Sequence, residues 1–135
     1  MSRYTVNVDG GARGNPGPAA IGVVLRDGSE VVEEVGEAIG EATNNVAEYR
    51  ALLRGIELAS AHGASDLELI GDSELVVRQV EGRYKVKNAG MKELHEAVKR
   101  ALRDFDSWSI RHVRRENNSD ADRLVNQALD GALDG

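Results

Sequence analysis

The chain has 135 residues, 41% of them apolar, with 23 acidic against 17 basic side chains and a net charge of −6. That length and apolar content suit one compact domain with a real core and exclude collagen-like or disordered chains. It contains no cysteine, which removes disulfides, thiolate metal sites and cysteine nucleophiles together and leaves oxygen or histidine ligands for any metal.

Residues 4–9, Tyr4-Thr5-Val6-Asn7-Val8-Asp9, alternate with a period of two and meet Gly10-Gly11, which predicts a strand ending in an aspartate and then a turn. After a loop over 12–18, residues 21–26 and 31–38 are expected to be strands joined at Asp27-Gly28, so the chain opens as an antiparallel meander. The period then changes: from 45 to about 61, Val46, Leu52, Leu53, Ile56 and Ala59 recur at helical spacing, and His62-Gly63 supplies a stop. Residues 67–70 make a short strand ending at Gly71-Asp72, followed by a short helix over 73–80. A basic, turn-like stretch over 81–88 leads to a helix over 91–102, a strand carrying Trp108 and Ile110, and a last helix. The order β-β-β-α-β-α-α-β-α predicts an α/β fold with a mixed sheet, as one domain over residues 1–135 with no internal repeat or linker.

Net acidity argues against a nucleic-acid binder in the first instance, since phosphate contacts leave a basic footprint. The sign by region matters more: Arg83, Lys85 and Lys87 cluster, as do Arg111, Arg114 and Arg115. No apolar stretch has signal-peptide or membrane-span length, so the protein is expected to be soluble and cytoplasmic, without a membrane partner.

Four acidic residues end or begin four different elements. Asp9 and Asp72 close two strands, and they could face one crevice if those strands are parallel neighbours. Glu48 shares a helix face with Ala51, Leu52, Gly55 and Ala59, where an unpartnered carboxylate is expensive; Asp122 opens the last helix with Val125 and Leu129 on its side. Singly, each has a plainer reading: Asp72 as a helix N-cap, Asn45 with Glu48 or Ser119 with Asp122 as capping boxes, Asp9 as a turn residue. Together they are unexplained by capping, because no basic residue is sequence-adjacent to neutralise the first three, whereas divalent metals would.

Four blocks in order then carry a family resemblance: Asp9-Gly10-Gly11 with Gly14-Asn15-Pro16-Gly17, Thr43-Asn44-Asn45-Val46-Ala47-Glu48, Asp72-Ser73, and Ala121-Asp122-Arg123-Leu124-Val125-Asn126. Over nearly its whole length the chain resembles the small, single-domain (type 1) ribonucleases H. The resemblance implies a ribonuclease H-like fold, a five-stranded mixed sheet (strands one to three antiparallel, four and five parallel) with helices on both faces. It also implies hydrolysis of the RNA strand of RNA–DNA hybrids, leaving 5′-phosphate and 3′-hydroxyl ends. Asp9, Glu48, Asp72 and Asp122 would be the catalytic ligands of two Mg²⁺ or Mn²⁺ ions. Substrate contacts would come from Gly11, Ala12, Arg13, Asn15, Thr43, Asn44, Asn45 and Ser73, and the enzyme is expected to act as a monomer.

The chain departs from the family's pattern in three places. Glu74 stands where many members carry glutamine. The stretch over 81–88, with Arg83, Lys85 and Lys87, replaces a long basic protrusion, so weaker hybrid binding and a shallower salt dependence are expected. The flexible histidine before the last aspartate is absent: Arg115 is expected to assist catalysis in its place, while His112 alternates in phase with Trp108 and Ile110 on a strand. Asp122 is preferred over Asp120 as the fourth ligand, leaving Asp120 to the helix dipole. The competing readings are a catalytically idle hybrid-binding module and another nuclease built on the same sheet.

Overall fold

The structure is a computed structural model that describes residues 3–134. Five strands form one sheet in the order β3-β2-β1-β4-β5: β1 (Arg3–Ala12), β2 (Gly17–Asp27), β3 (Glu30–Ala42), β4 (Asp66–Gly71) and β5 (Ser107–His112). The first three pair antiparallel, while β4 runs parallel to both β1 and β5. The helices are α1 (Asn44–Ala61), α2 (Glu74–Val80), α3 (Ala89–Leu102) and α4 (Ser119–Asp134), with a 3₁₀ turn at Arg115–Asn117. The expected element order and mixed sheet are what the chain adopts.

Two differences from the sequence reading bear on the site. β1 does not stop at Asp9: its parallel ladder with β4 ends at Val8 opposite Gly71, but its antiparallel ladder with β2 continues through Ala12 opposite Ala19. Asp9 therefore lies just past the parallel ladder while its backbone is still held on the other side. The helix boundaries also shift. Thr43, not Asn45, caps α1, its Oγ1 accepting from the Val46 N–H at 3.2 Å, and Ser73, not Asp72, caps α2, accepting from the Val76 N–H at 3.3 Å.

The sheet is covered on both faces. On one, Tyr49, Leu52 and Ile56 of α1 and Val98 and Leu102 of α3 pack against Val6, Val8, Val23, Leu67 and Leu69. On the other, Val125 and Leu129 of α4 pack on Ala20. Two glycines set how closely helices approach. A Cβ on Gly10 would stand 2.2 Å from the Ala47 carbonyl carbon and 2.5 Å from the Glu48 nitrogen, and a Cβ on Gly22 would stand 2.2 Å from the Ala121 carbonyl oxygen. Real carbon contacts need about 3.5 Å, so only glycine lets α1 touch β1 beside Asp9 and α4 touch β2 beside Asp122. No helix among the described residues is long and apolar enough to cross a membrane.

Candidate active site

Asp9, Glu48 and Asp72 each offer a carboxylate oxygen, and these oxygens lie within 4.8 Å of one another. The topology puts them there. Adjacent parallel strands β1 and β4 deliver Asp9 and Asp72 at their carboxyl ends, and the close approach of α1 at Gly10 brings Glu48 in from above. Glu48 Oε1 accepts from the Gly10 N–H at 2.7 Å, which ties the helix carboxylate to the strand that carries Asp9. This is a tertiary bond, so the capping box of Asn45 with Glu48 does not form.

The three carboxylates are buried together: Asp9 is 3% and Glu48 5% exposed, and the Asp72 side chain 5%. Burial pushes Asp9 up to about 7 from an ordinary 3.8; the hydrogen bond with Glu48 opposes that rise, and the nearby charges of Asp72 and Asp122 add to it. Burial, then the shared bond and charge of Asp9, push Glu48 well above the usual carboxylate range. Without a cation the pair is therefore poised to hold a proton between its oxygens. Asp72 Oδ2 is buried and has no hydrogen-bond partner. Among the described residues, the cation paired with it is Arg115, whose Nε stands 3.9 Å away on a side chain that is 75% exposed.

An unpartnered buried carboxylate oxygen, beside two others that resist ionising together, suits a hard divalent cation, which prefers oxygen ligands and would repay the buried charge. The residues present thus fit a metal centre. Asp122 lines the same cleft, of about 470 Å³, but stands outside the tight group of three. Asp120 does not compete with it, because its carboxylate is taken up at 2.7 Å by Arg26.

Most of the residues expected at the site meet in this cleft: Asp9, Glu48, Asp72, Asp122, Arg115, Gly11, Ala12, Arg13, Asn44, Asn45 and Ser73 all line it. Asn15 and Thr43 do not line it. Thr43 is spent on the cap of α1, and Asn15 Oδ1 accepts from the Asn44 N–H at 3.1 Å. Asn44 Oδ1 in turn accepts from the Ala12 N–H at 2.8 Å, so the two asparagines buttress the cleft's rim. Arg13 faces the cleft with its guanidinium paired to Asp130 at 2.7 Å. His112 lies elsewhere, in a depression with Glu68, Arg78 and Arg111.

Four lining residues had been given no role: Gly10, Val125, Asn126 and Leu129. The last three follow Asp122 by three, four and seven positions, a helical face that was visible in the sequence. Gly10 had been read as half of a turn, and nothing local in the sequence reveals the approach of α1.

Known proteins agree with this geometry. Residues 7–128 match the family model described as "Reverse transcriptase-like". The chain is 47% identical to Ribonuclease HI of Halobacterium salinarum over 125 residues, covering 92% of this chain and 63% of that protein. It is 43% identical over 132 residues to a Mycobacterium tuberculosis protein named as bifunctional, covering 96% of this chain and 36% of that one. The chain thus spans less than two thirds of either relative's length. Among solved structures, LC11-RNase H1 in complex with RNA/DNA hybrid superposes with a TM-score of 0.91 at 43% identity, covering 96% of this chain and 99% of the other. The motifs, the sheet order, the carboxylate cleft and these likenesses place the chain in the ribonuclease H family.

Proposed function

We propose that the protein is a metal-dependent endoribonuclease that hydrolyses the RNA strand of RNA–DNA hybrids, leaving 5′-phosphate and 3′-hydroxyl ends. The observation that carries this reading is the buried group of Asp9, Glu48 and Asp72, with one unpartnered carboxylate oxygen, opening into a cleft whose wall holds Asp122 and Arg115. The crystal structure of a relative with an RNA/DNA hybrid supports the substrate class.

Asp9, Glu48, Asp72 and Asp122 would hold two Mg²⁺ or Mn²⁺ ions, which supply an activated water and stabilise charge on the leaving 3′ oxygen. The protein's own part is positional. The Gly10 N–H fixes one Glu48 oxygen, so the carboxylate is already oriented before any ion arrives. Burial of the three side chains limits the water that could compete for their oxygens. Arg115, exposed and 3.9 Å from Asp72, would contact the scissile phosphate and help release the product.

The RNA strand is distinguished by its 2′-hydroxyl. The cleft's rim, built from Gly11 to Arg13 and from Asn44 and Asn45, offers backbone and amide groups to it. Asn15 and Thr43 support that rim from behind, and Ser73 holds the start of α2. Exposed Arg83, Lys85 and Lys87 stand in for a basic protrusion and touch few phosphates, so binding falls gently with salt. We propose that the protein acts in the cytoplasm as a monomer, with residues 3–134 forming one domain.

The test is cleavage of an end-labelled RNA–DNA hybrid beside single-stranded RNA, duplex RNA and duplex DNA, with Mg²⁺, Mn²⁺ or a chelator. Cutting confined to the hybrid's RNA strand and abolished by chelator is expected. Folded protein that binds the hybrid and never cuts it would instead make this a binding module, an outcome disfavoured by the repulsion that metal-free carboxylates exert on phosphate.

A further inference from the structure

Asn118 is 2% exposed and stands between the 3₁₀ turn and α4, four residues before Asp122 and three after Arg115. Four hydrogen bonds converge on it. Its Nδ2 donates to the carbonyl of Val8, the residue before Asp9, at 2.9 Å, and its Oδ1 accepts from Asn7 Nδ2 at 3.0 Å. Its backbone N–H donates to the Arg115 carbonyl at 2.9 Å, and its carbonyl accepts from the Asp122 N–H at 3.1 Å. Asn7 is itself held by Arg26, which donates to Asn7 Oδ1 at 2.8 Å and pairs with Asp120 at 2.7 Å.

A polar chain from Asp120 through Arg26, Asn7 and Asn118 thus bolts the first turn of α4 to β1. The rest of α4 is held by Val125 and Leu129 on Ala20, by the close seat of Ala121 on Gly22, and by the exposed ion pairs of Arg123 with Glu34 and Asp130 with Arg13, none of which is a buried hydrogen bond to β1. A buried amide is tolerable only when satisfied, and an apolar side chain of similar size would fill the same space at less risk. What the amide adds is register.

Building on the ribonuclease H reading, we infer that Asn118 is a positioning residue for the fourth carboxylate and for Arg115. It ties the backbone of both to the strand bearing Asp9, so that Asp122 is held on the wall of the cleft into which the buried carboxylates open.

The experiment compares native protein, Asn118→Ala, the isosteric Asn118→Asp, Asp122→Asn and the double variant Asn118→Ala/Asp122→Asn. Mn²⁺ binding is titrated by calorimetry without nucleic acid, and hybrid cleavage is measured separately. Each folded Asn118 variant is expected to weaken the less tightly held ion by about tenfold or more, as outer ligand partners do. Turnover should fall by about tenfold with KM for the hybrid within about twofold, and the double variant should match Asp122→Asn within about twofold, because both act on one group. A merely structural role would lower the melting temperature and leave the titration unchanged below it. Unchanged Mn²⁺ binding and turnover in folded Asn118→Ala, or losses that multiply in the double variant, would overturn the inference. So would failure of both Asn118 variants to fold, since the residue would then serve the fold alone. Native protein that cuts no hybrid sinks the functional reading instead, and the Mn²⁺ titration still scores the tether.

Discussion

Gly10→Ala perturbs the close contact that seats Glu48 beside Asp9. The new Cβ would lie 2.2 Å from the Ala47 carbonyl carbon, 2.3 Å from its oxygen and 2.5 Å from the Glu48 nitrogen, all backbone atoms that cannot rotate away. Restoring an ordinary separation of about 3.5 Å moves α1 away from β1 by roughly 1 Å. The 2.7 Å bond from the Gly10 N–H to Glu48 breaks with it. Overpacking of this kind destabilises by about 1–3 kcal/mol, and loss of a bond to a buried carboxyl that burial holds largely neutral without metal by about 0.5–1.5 kcal/mol, so about 3 kcal/mol in total is expected. For a chain of this size that lowers the melting temperature by on the order of 10 °C. Displacing Glu48 by about 1 Å should also lower hybrid cleavage by about 100-fold in protein kept below its melting temperature. The control is the neighbouring residue. A Cβ on Gly11 meets only Val125 Cγ1 at 3.6 Å, so Gly11→Ala should change stability by less than about 0.5 kcal/mol. The assay is thermal unfolding by circular dichroism with single-turnover cleavage on the same samples. Equal melting temperatures for the two variants would refute the reasoning.

Without metal, Asp9 is pushed up to about 7 by burial, and Glu48 is raised as well. Groups whose folded pKa lies above the unfolded value contribute stability that is complete below about pH 4 and is lost as pH rises through 7. Melting curves of chelated protein should therefore fall in temperature from pH 5 to pH 8, and Mg²⁺ should restore the loss; a flat profile would contradict the burial argument. Because ions must displace these protons, Mn²⁺ binding near pH 6.5 should release protons, seen as a calorimetric heat that changes with the buffer's ionisation enthalpy. Asp72→Asn replaces a buried carboxylate whose Oδ2 accepts no hydrogen bond among the described residues and meets only the exposed Arg115 at 3.9 Å, so it should raise the metal-free melting temperature by a few degrees, on the order of 1 kcal/mol, while abolishing cleavage. Destabilisation of the chelated protein would count against a site shaped for cations. Asp122→Asn should reduce turnover by about tenfold or more, whereas Asp120→Asn loosens only the exposed outer end of the polar chain, a pair worth less than about 1 kcal/mol, while Asn7 and Asn118 keep their bonds, so turnover should fall far less. Arg115→Ala should lower turnover more than His112→Ala, since Arg115 stands 3.9 Å from Asp72 and His112 lies outside the cleft; the reverse ranking would reassign the assisting group.

How far these features could be read from the sequence depended on whether they were set locally. Alternation in β1 and helical spacing in α1 are local, and both elements form, though β1 runs past Asp9 to Ala12 and α1 starts at Asn44. β3 runs to Ala42 rather than 38 because the ladder slips between Ala19 and Ala20 of β2, leaving Ile39 out of register and Gly40 at a φ of +80°. That irregularity interrupts the period of two on which the strand reading relied. The carboxylates were legible because four acids at element ends have few other uses, and three of them do converge. The finer arrangement was not legible. The cap of α2 falls on Ser73 rather than its neighbour Asp72, a local choice, while the Gly10 N–H bond to Glu48 and the contacts that bury Asn118 depend on pairs far apart in the chain. Periodicity carries no information about such pairs.

The most direct measurement is single-turnover cleavage of a saturating RNA–DNA hybrid by native protein and by Asp9→Asn, with hybrid binding and Mn²⁺ binding measured on both. Native protein should cut only the RNA strand and only with metal. Asp9→Asn should bind the hybrid comparably yet cut it more slowly by about a thousandfold or more, with weakened Mn²⁺ binding. Cleavage by Asp9→Asn within about tenfold of native, or native cleavage that persists in chelator, would contradict a reaction run from this carboxylate cleft.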